Sequence, residues 1–401
     1  MRFDIHLRQS VRTSVQGLAG QMAAWERTPA LSPEARRRLT DAVQLISHTV
    51  SAPGLVAAGV DGSGDYPAVA YADSFVYATV VAGAVFDADP VSGLKDRELS
   101  ESLVDFAWLT TNEDQRRAAV LGAFERLAGL PVSDVVTDSD YRQLKSGGQS
   151  LTVAAAIEGF IIPPAHDAGN LGIQFRTTGE LGMARRLVDR LPEGSLVLTD
   201  GTMSLPLVSR TGRSFFFEHL RRLCCVRAFA RNVVFGALSK SHGLRSAELL
   251  EQVAHESLGT PGPPEHWYLR VPEIAEDGWV LPFEEGVQLP PPGAVTYLFR
   301  LHRKVAILRL DLDRRHWLAR VRGMSATETV ENERRLFGQL DYISHDQRSF
   351  GYPYPIKAGH NRASMTDLER VALRKQIVDA AVAAGIHRSL FRDASMSTGH
   401  A

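Results

Sequence analysis

Short apolar runs that alternate with amphipathic segments are the feature that most constrains how this chain can fold. Runs such as "LVAAGV" before Asp61 and "SLVLT" before Asp200 are rich in β-branched residues and predict buried strands. Other segments repeat apolar residues at helical spacing and predict helices, at 178–191, 213–230, 325–340 and 366–385. Strands and helices in such a mixed order predict an α/β protein, with a mixed sheet flanked by helices.

The length of 401 residues fits one large domain with additions, or two domains. We predict a helical N-terminal extension over 1–50, because Ser32 and Pro33 form a helix start there. A core over 51–392 would follow, with a helical insertion at about 93–130 that includes "ESLVDFAWLTT". Residues 393–401 are expected to be a disordered tail.

Further strands are predicted within this core. "AVAYADSFVYATVVAGAVF" would supply two of them, "TVAAAIEGFII" a third, and "AVTYLFRLHRKVAILRLDL" an antiparallel pair. The stretch 258–293 is rich in proline and glycine, which indicates connecting loops.

Composition narrows the class of protein but not its partner. The net charge is −1, so global charge favours no ligand, although local basic patches could still bind nucleic acid. The two cysteines, Cys224 and Cys225, are adjacent and offer neither a disulfide framework nor zinc-ligand spacing. No signal peptide or membrane-spanning run is visible, so we expect a cytoplasmic protein.

Two predicted strands end in similar short motifs, "GVDGS" at 59–63 and "TDGT" at 199–202. An aspartate at the end of a buried strand, followed by glycine, would lie in an open cleft. Two converging carboxylates repel each other unless a cation bridges them, and their hard oxygen atoms suit Mg²⁺ or Mn²⁺. Two such ions would suit phosphodiester cleavage. The alternative is that both Asp-Gly pairs are simply turns.

Glu180, in "TTGEL", would lie in the first turn of its helix, three residues after Thr177. That is the spacing of a capping box, so Glu180 is either a helix cap or a ligand.

Basic residues with interleaved aromatic residues occur in 210–231 and 300–323, a pattern that suits a nucleic-acid strand or an ordinary solvated face. The candidate DNA-binding residues are Lys240, Arg300, Arg303, Lys304, Tyr352 and Tyr354.

The decapeptide "GYPYPIKAGH" contains two prolines that cannot donate backbone hydrogen bonds. Residues before proline favour extended geometry, so Tyr352–Pro355 is predicted to be a stiff, extended connector. Its role would be to present His360 to a phosphate and its metal ions. The alternative is that the tyrosines pack on the sheet and the prolines end a strand.

Taken in order, these motifs resemble the NurA family of DNA-end-processing nucleases. The resemblance rests on "GVDGS", the helix bearing Glu180, "LVLTDGT", "GALSKS" and "GYPYPIKAGH", and it spans about 55–365. The family more often has Ala-His where this chain has Gly359-His360, and often Ser-Leu where it has Thr202-Met203. Both differences leave the charged groups in place.

The resemblance implies a ribonuclease H-like core, a homodimer, and a manganese- or magnesium-dependent deoxyribonuclease. It implies that Asp61, Glu180 and Asp200 bind the metal, with His360 as the fourth catalytic and metal-binding residue. The implied partner is a HerA-type hexameric DNA translocase, in DNA end resection or anti-phage defence. The alternatives are a non-catalytic DNA-binding or docking subunit, and an actin-like or sugar-kinase-type phosphotransferase.

Overall fold

The computed structural model describes residues 5–25, 33–89, 93–97, 100–141, 168–203, 212–240, 247–258, 266–271 and 293–392. The predicted strand "TVAAAIEGFII", most of the loop region 258–293 and the predicted tail lie outside these residues.

Helices of varied length flank the sheet. In chain order they are α1 (Ile5–Trp25), α2 (Pro33–Ala42), α3 (Glu113–Ala128), α4 (Val132–Asp138), α5 (Ala168–Arg190), α6 (Gly212–Ala230), α7 (Ala247–Leu258), α8 (Ala326–Ser344), α9 (Tyr354–Ala363) and α10 (Asp367–Ala383). A short helical segment, Arg314–His316, continues as a π-helix over Trp317–Val321. None of the described helices combines the length and the apolar composition that a membrane span requires.

The strands are β1 (Val43–Leu45), β2 (Val56–Tyr71), β3 (Ser74–Asp89), β4 (Gly93–Asp96), β5 (Glu101–Leu109), β6 (Leu196–Asp200), β7 (Val234–Ser239), β8 (Trp267–Arg270), β9 (Ala294–Arg300), β10 (Leu308–Asp313), β11 (His345–Asp346), β12 (Ser349–Phe350) and β13 (Phe391–Arg392). All except the small β11–β12 hairpin belong to one mixed sheet.

The main path of that sheet runs β1-β8-β9-β10-β7-β6-β2-β3-β4, with β5 also paired to β3 and β13 to β2. Strands β2, β6 and β7 are parallel to one another, whereas β3, β4, β5, β9 and β10 pair in antiparallel fashion. The expected α/β architecture with a mixed sheet and flanking helices is therefore confirmed.

Alternate residues of β2 face two separate cores because successive side chains of a strand point to opposite faces. Ala58 and Val60 pack with α5 residues such as Leu187. Ala57 packs on the other face with Ile356 and Ala358 of α9. The sheet thus lies between α5 and α9, which are the two helices that carry Glu180 and His360.

Helix ends follow local sequence signals where these exist. Asn112 begins α3 by accepting a hydrogen bond from the Gln115 amide, and Gly129 ends it in the left-handed conformation. Thr366 and Glu369 form a capping box at the start of α10.

Four local predictions are wrong. "ESLVDFAWLTT" is not helical but contains β5, so helix within the proposed insertion at 93–130 is confined to α3. Val104, Phe106 and Trp108 alternate with more covered residues along β5, which is strand periodicity. The "GVDGS" strand does not turn after Asp61, because β2 continues to Tyr71 in a long hairpin with β3.

The other two concern helix starts. Helix α5 begins at Ala168, so Glu180 lies in mid-helix and Thr177 is not its N-cap. Helix α9 begins at Tyr354, with Pro355 in its first turn. Proline is tolerated there because the first amides of a helix have no intrahelical partner, so an extended connector as far as Pro355 is not observed.

Candidate active site

Asp61 lies at the point where β2 loses one of its two neighbours. The parallel pairing of β2 with β6 ends at Val60↔Thr199, whereas β2 and β3 remain paired beyond it. The side chain is buried, with Oδ1 accepting a hydrogen bond from the Gly62 amide at 2.7 Å. Open α/β sheets form binding crevices at the carboxyl ends of parallel strands, and Asp61 lies where the parallel pairing of β2 with β6 ends.

Asp200 is the last residue of β6 and follows Thr199, the partner of Val60. Gly201 adopts a φ of 135°, a region that favours glycine, and the chain turns away from the sheet there. The prediction of a strand that ends at an aspartate is confirmed for Asp200. The two aspartates therefore lie side by side in register at the edge where β6 ends.

Glu180 approaches from the opposite face of the sheet, on α5. A Cβ atom at Gly62 would lie 2.9 Å from the Glu180 Oε1 atom and 2.7 Å from Cγ of Arg176. Any larger residue at 62 would therefore displace this helix. The absence of a side chain at Gly62 lets a buried carboxylate from α5 reach the strand that carries Asp61.

His360 is held next to Asp61 by a very close crossing of α9 over β2. A Cβ atom at Gly59 would lie 2.1 Å from the Ile356 nitrogen, and one at Gly359 would lie 3.2 Å from the Asp61 nitrogen. The His360 Nδ1 atom lies 2.8 Å from Asp61 Oδ2. The imidazole is 58% exposed, so its remaining edge can reach solvent or a substrate.

The three carboxylates act on one another electrostatically. The pKa of Glu180 is raised to about 8, chiefly by burial; the charge of Arg176 opposes this shift, and the negative charges of Asp61 and Asp200 add to it. Burial also raises the pKa of Asp200, where Asp61 adds to the shift while Lys240, Arg176 and His360 lower it. Charges that disfavour one another in this way form a site that a cation would stabilise.

Two cations lie at the rim. Arg176, one helical turn before Glu180, places its Nε atom 3.4 Å from Glu180 Oε1. Lys240 follows β7 and lies exposed, with its ammonium 4.0 Å from the centre of the Tyr352 ring. Arg176 was not predicted as a site residue, because the predicted helix began at about 178 and left Arg176 outside it, whereas α5 begins at Ala168.

The other candidate DNA-binding residues differ in accessibility. Arg303 and Lys304 are exposed in the β9–β10 turn. Arg300 is buried, and its guanidinium donates to the backbone oxygens of His302 and Arg303. Only part of the basic segment 300–323 is therefore exposed and able to form a basic surface.

The two tyrosines of the decapeptide are packed rather than presented for base stacking. Tyr352 is buried, and Tyr354 lies between Phe86 and the guanidinium of Arg348. In the other basic segment, 210–231, Arg221 and Arg222 are also buried. Arg221 pairs with Glu218, while Arg222 pairs with Asp140 and Asp313, so these charges stabilise the interior.

Asp311 is a supporting residue that the sequence analysis missed. It is fully buried on β10, pairs with Arg309, and accepts a hydrogen bond from the Met203 amide at 2.8 Å. Met203 lies three residues after Asp200, so Asp311 anchors the loop that leaves the site. Its alternation with apolar residues in "LRLDL" resembled that of a solvent-facing strand residue, and no local signal indicated its burial.

Among the described residues, three or more potential metal-ligand atoms lie within 4.8 Å of one another in a group other than the predicted site. In that group, His48, His266, Asp341 and His345 each have a ligand atom within 4.8 Å of the others. None of them belongs to the predicted site.

Comparison with known proteins gave matches by structure alone. No family model and no curated protein sequence matches the chain. The NurA nuclease from Sulfolobus solfataricus aligns over 96% of this chain and 99% of its own, with 13% identity and a TM-score of 0.46. NurA with manganese aligns over 95% and 99%, with 12% identity and a TM-score of 0.39. NurA bound to dAMP and manganese aligns over 96% and 98%, with 10% identity and a TM-score of 0.39. These structures carry the name of the family that the sequence motifs resemble.

Proposed function

We propose that the protein is a metal-dependent nuclease that cleaves DNA phosphodiester bonds. The observation that supports this proposal is the electrostatic coupling of three acids from separate elements, Asp61 of β2, Glu180 of α5 and Asp200 of β6. His360, from α9, is hydrogen-bonded to the first of them. The charge of Asp61 disfavours ionisation of both Glu180 and Asp200, and a bound cation would favour the ionised form of all three carboxyl groups.

The donor set fits Mn²⁺ or Mg²⁺. Asp61, Glu180 and Asp200 offer only carboxylate oxygens, which these hard cations prefer, and Glu180 is buried with a pKa raised to about 8 by its surroundings. These three residues would hold the metal, and two ions are proposed by analogy with other nuclease sites. Bound ions of this kind activate water and neutralise charge on the phosphate.

His360 would act on the substrate side of this site. Its Nδ1 atom lies against Asp61 Oδ2, an arrangement that orients the ring. Its Nε2 atom lies 3.2 Å from the Ser364 hydroxyl, and the exposed ring leaves that edge accessible. We propose that His360 donates a proton to the leaving oxygen or contacts the scissile phosphate. If an ion bound by Asp61 also lies within reach of the imidazole, His360 would be a ligand of that ion.

The cations at the rim would bind and orient the DNA. Lys240 and Arg176 act electrostatically on Asp200, so a phosphate that enters the site would meet both positive charges. Arg303 and Lys304 would extend this attraction along the backbone from the β9–β10 turn.

Finer aspects of the proposal depend on the sequence resemblance. The antiparallel order β5-β3-β2, followed by β6 and β7 parallel to β2, supports a ribonuclease H-like core. We also propose a homodimer in the cytoplasm that works with a HerA-type hexameric translocase, in DNA end resection or anti-phage defence. The intact set of acids supports catalysis rather than a purely docking role.

Cleavage of end-labelled DNA by the full-length protein tests this function. We expect cleavage with Mn²⁺, none with EDTA, and a loss on the order of 100-fold or more for Asp200→Asn, the scale on which one transition-state group lowers turnover. Asp379→Asn is the matched control, because Asp379 lies on α10 in an exposed pair with Lys375. Metal-independent cleavage, or equal rates for Asp200→Asn and the wild type, would refute the proposal.

A further inference from the structure

The cluster of His48, His266, Asp341 and His345, here called the histidine cluster, joins three distant parts of the chain. His48 lies just after β1, His266 immediately before β8, and Asp341 with His345 at the end of α8. Their spacing in sequence has no resemblance to a metal-binding motif, which explains why local patterns did not reveal it.

Backbone pairing brings the first two residues together. Strands β1 and β8 pair with Leu45 opposite Trp267, and the Ile46 amide donates to the His266 oxygen at 3.1 Å. His48 lies shortly after the paired residues of β1, and His266 lies directly before those of β8. Their rings lie 6.2 Å apart, centre to centre.

The other two residues of the cluster, Asp341 and His345, are brought together by the geometry of α8. Asp341 and His345 are one turn apart, so their side chains share a face of α8. The Thr49 amide donates to Asp341 Oδ2 at 2.7 Å, which ties the segment after His48 to this face. The His345 ring lies 4.6 Å from that of His48 and 5.1 Å from that of His266.

The carboxylate of Asp341 lies at the centre of the three rings. Its Oδ2 atom lies 3.0 Å from His48 Nδ1. Its Oδ1 atom lies 3.5 Å from His266 Nδ1 and 3.1 Å from His345 Nδ1. One potential ligand atom from each of the four residues lies within 4.8 Å of the others. Ligand atoms of a tetrahedral ion with bonds of 2.0–2.1 Å are about 3.3 Å apart, so a small inward movement of these side chains would surround one shared ion.

A second observation also indicates a ligand. Asp341 is fully buried, and within the described part of the chain its Oδ1 atom receives no hydrogen bond. His345 Nδ1 instead lies 2.8 Å from the Asp341 backbone oxygen. A buried carboxylate oxygen without a hydrogen bond is costly, and a bound cation would satisfy it.

We propose that the histidine cluster is a structural site for a transition-metal ion of the zinc class. Imidazole nitrogens suit Zn²⁺, and four protein ligands leave no open position for catalysis. The carboxylate-rich site at Asp61 and Asp200 would take harder cations, so the two sites differ in their main ligands and in their ion. The His48 side chain is 51% exposed, so an ion could enter the cluster from solvent beside it.

The ion would fix the base of the β11–β12 hairpin. His345 is the first residue of β11, and the Gly351 amide donates to the Ser344 oxygen at 2.7 Å where the hairpin closes. This hairpin leads directly into α9, which carries His360. The proposed ion would thus join the N-terminal region and β8 to the segment that precedes α9.

Zinc binding by the full-length protein, purified without a polyhistidine tag and stripped with EDTA, tests the proposal. We expect one Zn²⁺ per chain in competition titrations with a chromophoric chelator, and a higher unfolding temperature with Zn²⁺. Loss of a residue that merely orients a ligand lowers metal affinity by about 10–100-fold, so His48→Ala should lower it by at least about 100-fold. Because His48 is half exposed, this variant should fold, and its unfolding temperature should no longer respond to Zn²⁺.

Two controls separate this site from the others. His387→Ala removes an exposed histidine outside the cluster and should bind zinc as the wild type does. Asp61→Asn should also bind zinc normally, even where it abolishes cleavage. Wild-type protein that binds no zinc, or His48→Ala that retains wild-type affinity, would overturn the proposal and show a hydrogen-bonded cluster without a metal. Zinc affinity lost in Asp61→Asn and retained in His48→Ala would also overturn it, by placing the ion at the carboxylate site.

Discussion

Removal of the Glu180 charge should make the metal-free protein more stable at neutral and alkaline pH. The side chain is buried, and burial together with Asp61 and Asp200 raises its pKa to about 8. In the unfolded chain the pKa returns to the ordinary value of 4.5. Between these values the native protein holds a proton that the unfolded chain has released, so stability falls as pH rises.

The size of the effect follows from the pKa difference. Where only the native state is protonated, each pH unit lowers the free energy of unfolding by at most about 1.4 kcal/mol. Between about pH 5.5 and 7.5 the loss attributable to Glu180 is therefore roughly 2–3 kcal/mol. Glutamine cannot ionise, so Glu180→Gln should lack this decline, and its advantage over the wild type should grow as pH rises.

Urea unfolding in EDTA at several pH values measures this directly. The quantity to compare is the difference in free energy of unfolding between Glu180→Gln and the wild type, since other titrating groups cancel in it. Glu331→Gln, an exposed glutamate on α8, is the matched control and should show no pH-dependent difference. A difference for Glu180→Gln that does not change with pH would refute the argument that Glu180 is protonated in the metal-free native state.

The remaining predictions concern packing and DNA binding. Gly59→Ala places a Cβ atom 2.1 Å from the α9 backbone and should cost about 1–3 kcal/mol or more, measured by thermal unfolding beside Gly20→Ala, where nothing lies within 4 Å. Asp311→Ala removes the buried carboxylate that pairs with Arg309 and should cost about 3–5 kcal/mol, read from urea unfolding; a cost below about 1 kcal/mol would contradict the contribution of this pair. Changing both Arg303 and Lys304 to alanine should flatten the salt dependence of DNA binding, with each lost phosphate contact contributing about 0.7–0.9 to the log–log slope. An unchanged slope in fluorescence anisotropy titrations would move the DNA path away from the β9–β10 turn.

The acidic residues of the candidate site differ in how well the sequence predicted their structural positions. Asp200 ends a short strand followed by glycine, and local sequence was sufficient to place it. Asp61 was expected to precede a turn because glycine and serine follow it, yet β2 runs on because its pairing with β3 continues without interruption past Asp61 as far as Asp65. Tertiary pairing therefore overrode a local turn signal.

The helix that carries Glu180 shows a similar limit. Its predicted start at about 178 followed the apparent capping box of Thr177, whereas α5 begins ten residues earlier, at Ala168. The preceding stretch contains glycine and little periodicity, so nothing local extended the helix upstream. The correct position makes a capping role for Glu180 untenable and leaves it as a buried acid that lies against Gly62 and interacts electrostatically with Asp61.

The decapeptide illustrates the opposite error. Its prolines predicted an extended connector, but Pro353 and Pro355 fall at the beginning of α9, where proline is favoured. Gly359 then allows α9 to cross β2 closely. His360 is positioned beside Asp61, as the proposed function requires, but by a helix rather than by an extended connector.

The central claim, that one carboxylate site both binds the metal and cuts DNA, is tested most directly by measuring both properties on the same samples. Mn²⁺ binding is followed by electron paramagnetic resonance, and cleavage by single-turnover assay on end-labelled DNA. The account predicts that the combined Asp61→Asn and Asp200→Asn variant loses both tight Mn²⁺ binding and cleavage, while Asp379→Asn keeps both. Cleavage by the combined variant at the wild-type rate would contradict it.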